Sequence, residues 1–122
     1  MIKVLSVGGS IVVPDNPDTT FLSQFINMVK EWLLEDNERK LILVIGGGSP
    51  ARVYQNAYSD VMRKTDSTSI QNDADWIGIM ATRINAQLLK ASFGSYCKND
   101  VVYNPTEENL KFDGQVLVAS GW

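Results

Sequence analysis

The aliphatic run Leu41 to Ile45 empties into Gly46-Gly47-Gly48 and then Ser49-Pro50-Ala51-Arg52. An unbroken aliphatic stretch of this length reads as a strand covered on both faces, not as the alternating strand of a half-solvated sheet. Ser49 is suited to cap a helix, and Pro50 to open its first turn, where a missing N–H costs nothing. A buried strand that passes through bare glycine backbone into a helix is a junction of α/β folds. It also presents N–H groups at the positive end of a helix, and glycines let an anion approach them closely. Arg52, read as lying in the first helical turn, aims a planar donor fork matched to phosphate or carboxylate at the same space. Alone, the triplet is equally consistent with a tight turn beside a solvated Arg52.

A second junction of the same kind tips that balance. Lys3 to Val7 is a short aliphatic run that stops at Gly8-Gly9-Ser10. In open parallel sheets ligands bind in the crevice beyond the carboxyl ends of the strands, so both glycine loops border one site.

Composition narrows the function classes. A chain of 122 residues is one domain long, and 44% hydrophobic with 20% charged residues is ordinary for a globular protein. The net charge of -3, with no basic block, weighs against a nucleic-acid partner. The single cysteine, Cys97, has no partner for an internal disulfide, and with no histidine there is neither a Cys/His nucleophile pair nor a zinc cluster. Cys97 reads as a half-buried bystander. No apolar run approaches the length of a membrane span and the amino terminus reads as a strand, so a cytoplasmic location with no membrane partner is expected.

Along the chain the apolar period switches between strand and helix. Asp15-Asn16-Pro17-Asp18 is turn chemistry, with Asp18 placed to cap a helix whose core face is Phe21, Phe25, Val29 and Trp32. The second helix is expected from Pro50 to about Tyr58, with Gln55 and Asn56 on its outer face. Asp60 to Asp73 reads as a polar surface connection, with a mobile substrate flap as the alternative. The longest helix is expected from Asp75 to Phe93, with Gly94 as its stop and Asp73 and Asp75 at its positive end. Beyond it lie Val101-Val102-Tyr103, a short helical segment through Leu110, the turn Asp113-Gly114 and a buried parallel strand over Val116 to Ala119. Such a strand normally delivers the chain into another loop and helix, so one flank of the sheet is expected to lack cover. No internal repeat or low-complexity segment is present.

Three blocks together resemble the amino-acid-kinase superfamily, and most closely its archaeal-type UMP kinases: Ser6-Val7-Gly8-Gly9-Ser10, Val44 to Arg52, and Asp75-Trp76-Ile77-Gly78-Ile79-Met80-Ala81-Thr82-Arg83-Ile84-Asn85-Ala86. The last block is the most specific. The resemblance implies an α/β fold, a three-layer αβα sandwich with a mainly parallel sheet, of which residues 1–122 are the N-terminal, acceptor-binding half, with the ATP-binding half outside this chain. It implies phosphoryl transfer from ATP, with Mg2+, to UMP. Gly8, Gly9 and Ser10 then lie beside the transferred phosphoryl group, as catalytic residues. Gly46, Gly47, Gly48 and Arg52 cradle the phosphate of UMP, and Asp75 accepts hydrogen bonds from the ribose hydroxyls; no residue is assigned to a metal. Such chemistry asks a protein for alignment and charge neutralisation more than for covalent groups. Assembly into dimers or hexamers is also implied, with Trp32, Trp76 and Ile79 as a candidate apolar seam. Two other readings remain open: a kinase of the same superfamily acting on another small phosphate or acid, for which Asp75 and Arg83 are the first residues to test, and a non-catalytic relative that senses nucleotide or supports assembly.

Overall fold

The structure, a computed structural model, describes residues 2–63, 70–104 and 112–120. It is an α/β fold in the order β1 (Ile2–Val7), α1 (Gly9–Val12), α2 (Thr19–Leu34), β2 (Lys40–Ile45), α3 (Gly48–Val61), α4 (Ile70–Phe93), a 3-10 turn at Gly94–Tyr96, and β3 (Val116–Ser120). The three strands form one parallel sheet in the order β1-β2-β3, with Val7 opposite Ile45 and Ile45 opposite Ser120. Val102 adds an isolated parallel bridge beside Ala119 on the outer side of β3. The short helical segment expected through Leu110 lies outside the described residues, as does the middle of the Asp60 to Asp73 connection.

Strands laid down side by side in chain order, joined by right-handed crossovers, put the crossover helices on one face of the sheet. The buried core has that form. Leu22, Phe25, Ile26, Val29 and Leu33 of α2 share one cluster with Ala86, Leu89 and Phe93 of α4, over Leu41, Leu43, Ile45, Val116 and Val118 of the sheet. Phe25 meets Phe93 edge-on, with ring centroids 6.5 Å apart. Asp18 caps α2 as expected, accepting the Phe21 N–H at 3.0 Å, a contact that contributes about 1 kcal/mol. Gly94, with φ +58, ends α4 where the sequence places its stop.

The other sheet face is open. Ile2 and Val4 of β1 are exposed, Val4 to 68%, and Ile42 and Val44 are only half-buried. Parallel sheets ordinarily bury both faces, so the flank without cover is β1 and the face it shares with Ile42 and Val44.

Several local expectations are corrected. Helix α3 starts at Gly48, with Gly47 as its cap residue and no side-chain cap, so Ser49 is not the N-cap and Pro50 is not the first helical residue. Arg52 is consequently just beyond the first turn. Helix α4 starts at Ile70, which leaves Asp73 in the first turn and moves Asp75 one turn inside. Contacts to α3 explain the extension, since the Tyr58 hydroxyl donates to Asp73 Oδ2 at 3.1 Å and Gln55 Nε2 to the Ala74 carbonyl at 2.9 Å. Gln55 therefore faces α4, not solvent. Cys97 is buried, only 3% exposed, not half-buried.

Candidate functional site

Because the strands run parallel and in register, the exits after Val7 and Ile45 open at the same end of the sheet. They touch. A Cβ built on Gly9 would lie 2.5 Å from Gly48 N and 2.6 Å from Gly46 O, and one on Gly48 would lie 2.6 Å from the Gly9 carbonyl. Only glycine permits two backbones to pack this closely. Gly48 also takes φ +62, directly after Gly47 at φ -80 and ψ -32. A right-handed residue followed by a left-handed one curls successive N–H groups into a concavity that receives anions.

Side chains from three elements converge on this backbone. Arg52 of α3 places Nη2 3.4 Å from Ser10 Oγ of α1, a contact that spans 42 residues. Among the described residues Arg52 has no carboxylate partner, since the ion pairs are Arg39 with Glu35 and Arg63 with Asp60. Its charge is free for a ligand. From α4, Asn85 Nδ2 donates to the carbonyls of Gly46 at 3.1 Å and Gly47 at 2.9 Å. Thr82 Oγ1 donates back to the Gly78 carbonyl at 3.0 Å, and stands 3.0 Å from where a Cβ on Gly47 would be.

A cavity of about 410 Å³ lies over the cradle, lined by Gly47, Gly48, Ala51, Arg52, Gln55, Asp75, Gly78, Ile79 and Thr82. Its floor is glycine backbone and guanidinium. Its lining also carries the exposed carboxylate of Asp75, seven residues from Thr82 along α4 and so about 10 Å from it, whose Oδ1 accepts from Gln71 Nε2 at 2.9 Å. Cation and anion-binding backbone in one cavity with a carboxylate suit a ligand with a phosphate at one end and hydroxyl donors at the other.

Of the sequence-derived site residues, Gly47, Gly48, Arg52 and Asp75 therefore share one cavity. Gly8, Gly9 and Ser10 adjoin it, joined through the Gly9–Gly48 contact and the Ser10–Arg52 hydrogen bond. Gly46 stands behind, with its carbonyl held by Asn85. Arg83 does not line the cavity; its guanidinium stacks over the Tyr103 ring at 4.5 Å. Trp32 packs against the core beneath Lys3 and Arg39, so of the candidate seam residues it is Trp76 that is exposed. Sequence reasoning missed Gln55, Thr82 and Asn85 as site residues. Thr82 and Asn85 had a signal, being polar residues three apart among the small and apolar positions Gly78, Ala81, Ala86 and Leu89.

A parallel α/β sheet whose glycine-lined exits adjoin one crevice, with an arginine that has no carboxylate partner among the described residues, has the donor groups that suit an anionic ligand. The model of the amino acid kinase family matches residues 1–120, and the chain belongs to that family. It is 32% identical over 120 residues to a uridylate kinase of Methanococcus vannielii, covering 97% of this chain and 49% of the relative. With a uridylate kinase of Methanococcoides burtonii it shares 35% over 123 residues, covering 99% and 48%. The crystal structure of the uridylate kinase of Archaeoglobus fulgidus superposes with a TM-score of 0.62 at 25% identity, over 98% of this chain and 50% of that one. The chain thus spans about half the length of the curated relatives it matches. No helix among the described residues is long and apolar enough to cross a membrane.

Proposed function

We propose that this chain forms the acceptor-binding half of a UMP kinase, in which ATP gives a phosphoryl group to UMP to yield UDP and ADP in pyrimidine nucleotide synthesis. The observation that carries the reading is that Gly47, Gly48 and Arg52 line the same cavity as Asp75. On α4, Thr82 beside the cradle and Asp75 are seven residues apart, about 10 Å at 1.5 Å rise per residue. The phosphate of UMP sits on the Gly47–Gly48 backbone, its charge met by Arg52, while Asp75 accepts from the ribose hydroxyls. Gly46 completes the turn. Gly8, Gly9 and Ser10, on the β1 side, face the group being transferred, where close-packed backbone and a hydroxyl align it without covalent participation.

ATP and Mg2+ are implied by the family. Glycine backbone, Ser10 and Arg52 are donors, so they fit phosphate oxygens; among the described residues no group of three or more acidic, cysteine or histidine side chains could cage a cation. When bound, Mg2+ would neutralise phosphate charge, held chiefly by the phosphates themselves. In this reading the donor half covers the exposed face of β1, where Ile2 and Val4 stand open. A cytoplasmic location and assembly into dimers or hexamers complete the reading, with Trp76, Met80 and Ile84 as an exposed apolar stripe on α4 available to a second copy.

The test is a thermal-shift series. UMP should raise the melting temperature more than CMP or AMP does, and Arg52→Ala should abolish the difference. Equal shifts for all three nucleotides would remove the uridylate assignment.

A further inference from the structure

We infer that Asn85 is a positioning residue that holds the phosphate cradle in its receptive form before any ligand arrives. The inference rests on the UMP reading above. Asn85 is 4% exposed, in the second half of α4, and its side-chain nitrogen reaches two carbonyl oxygens at once, those of Gly46 and Gly47. Two carbonyl partners admit only the NH2 group, which fixes the orientation of the amide.

The consequence follows from peptide geometry. In a planar trans peptide the C=O and the following N–H point in opposite directions, and no cis peptide is present among the described residues. Pinning the oxygens of Gly46 and Gly47 on Asn85 therefore turns the N–H groups of Gly47 and Gly48 away from Asn85, and these two glycines line the cavity. Glycine pairs without such an anchor sample both signs of φ. The left-handed φ +62 of Gly48 is then held by Asn85 on one side and by Gly9 on the other. A cradle held in this way binds phosphate without a further ordering cost.

Titration calorimetry of the whole chain with UMP and with uridine separates this role from general support of the fold. Asn85→Asp keeps the shape but sets an acceptor against two acceptors; Asn85→Ala removes the donor. Both should weaken UMP binding by roughly tenfold or more, as expected for loss of a buried charge-free hydrogen-bond pair, and leave uridine within about twofold, since uridine has no phosphate to feel the cradle. UMP affinity unchanged, or UMP and uridine weakened alike, would overturn the inference. Wild-type protein that binds UMP no tighter than uridine would overturn the phosphate reading itself, and this inference with it. If neither variant folds, the wild type still decides. The Asn85 side-chain amide protons should be slow to exchange in the free chain and should move less on UMP addition than the Gly47 and Gly48 amides; fast exchange in the free chain would contradict the role.

Discussion

Gly9 and Gly48 meet backbone to backbone, so that a methyl group on either would fall about 2.6 Å or less from main-chain atoms of the other. That contact joins the exits of β1 and β2 into one surface, and it cannot relax by moving a flexible side chain.

Gly9→Ala and Gly48→Ala should each destabilise the fold, by about 1–3 kcal/mol for the clash alone, with Gly48→Ala the worse because its positive φ adds strain. Gly46→Ala serves as the control, since a Cβ there would find nothing nearer than 4.0 Å. Urea denaturation measures all three, and equal midpoints would contradict the packing.

Arg52 is exposed and unpaired by any carboxylate among the described residues. Arg52→Ala should leave stability within about 0.5 kcal/mol while removing UMP binding, and Arg52→Lys should restore only part of it because a point charge lacks the planar fork. A large loss of stability in Arg52→Ala would mean that the side chain serves the fold instead.

Gly78 gives Gln55 its path to α4. A Cβ there would lie 2.6 Å from Gln55 Nε2, the atom that donates to Ala74 next to Asp75. Gly78→Ala should displace Gln55, loosen the start of α4 and weaken UMP binding several-fold, whereas Gln55→Ala in the same background should recover most of the stability. Absence of that recovery would show that the two residues are not coupled.

Burial pushes the Cys97 thiol up from its ordinary value, with the Lys90 ammonium and a backbone contact at Val118 pulling it partly back. A folded pKa above the unfolded one means that the native state holds its proton longer. The associated stability is complete below the unfolded thiol value, about pH 8.5, and is lost as pH rises from there through the folded value. Cys97→Ala should flatten the decline in stability over that range, and alkylation of native protein at pH 7.5 should be far slower than of unfolded protein. Equal alkylation rates would contradict the burial.

Much of this architecture was legible because its signals are local. The run Leu41 to Ile45 and its glycines, the Asp18 cap and the Gly94 stop each depend on a few neighbouring residues, and each stands where the sequence places it. What escaped depends on tertiary contact. Ser49 looks like a cap only until Gly9 is seen to hold Gly48, which starts the helix two residues earlier. Asp75 looks like a helix start only until Tyr58 and Gln55 are seen to stabilise the preceding turn. Asn85 could be read as a polar residue on a buried face, but nothing local tells that its partners are carbonyls 38 and 39 residues away.

The most direct test of the central claim is a crystal structure of the chain with UMP. The phosphate should lie within hydrogen-bonding distance of the Gly47 and Gly48 N–H groups and of the Arg52 guanidinium, with a ribose hydroxyl on Asp75. A UMP phosphate found elsewhere, with the Gly47–Gly48 backbone untouched, would contradict it.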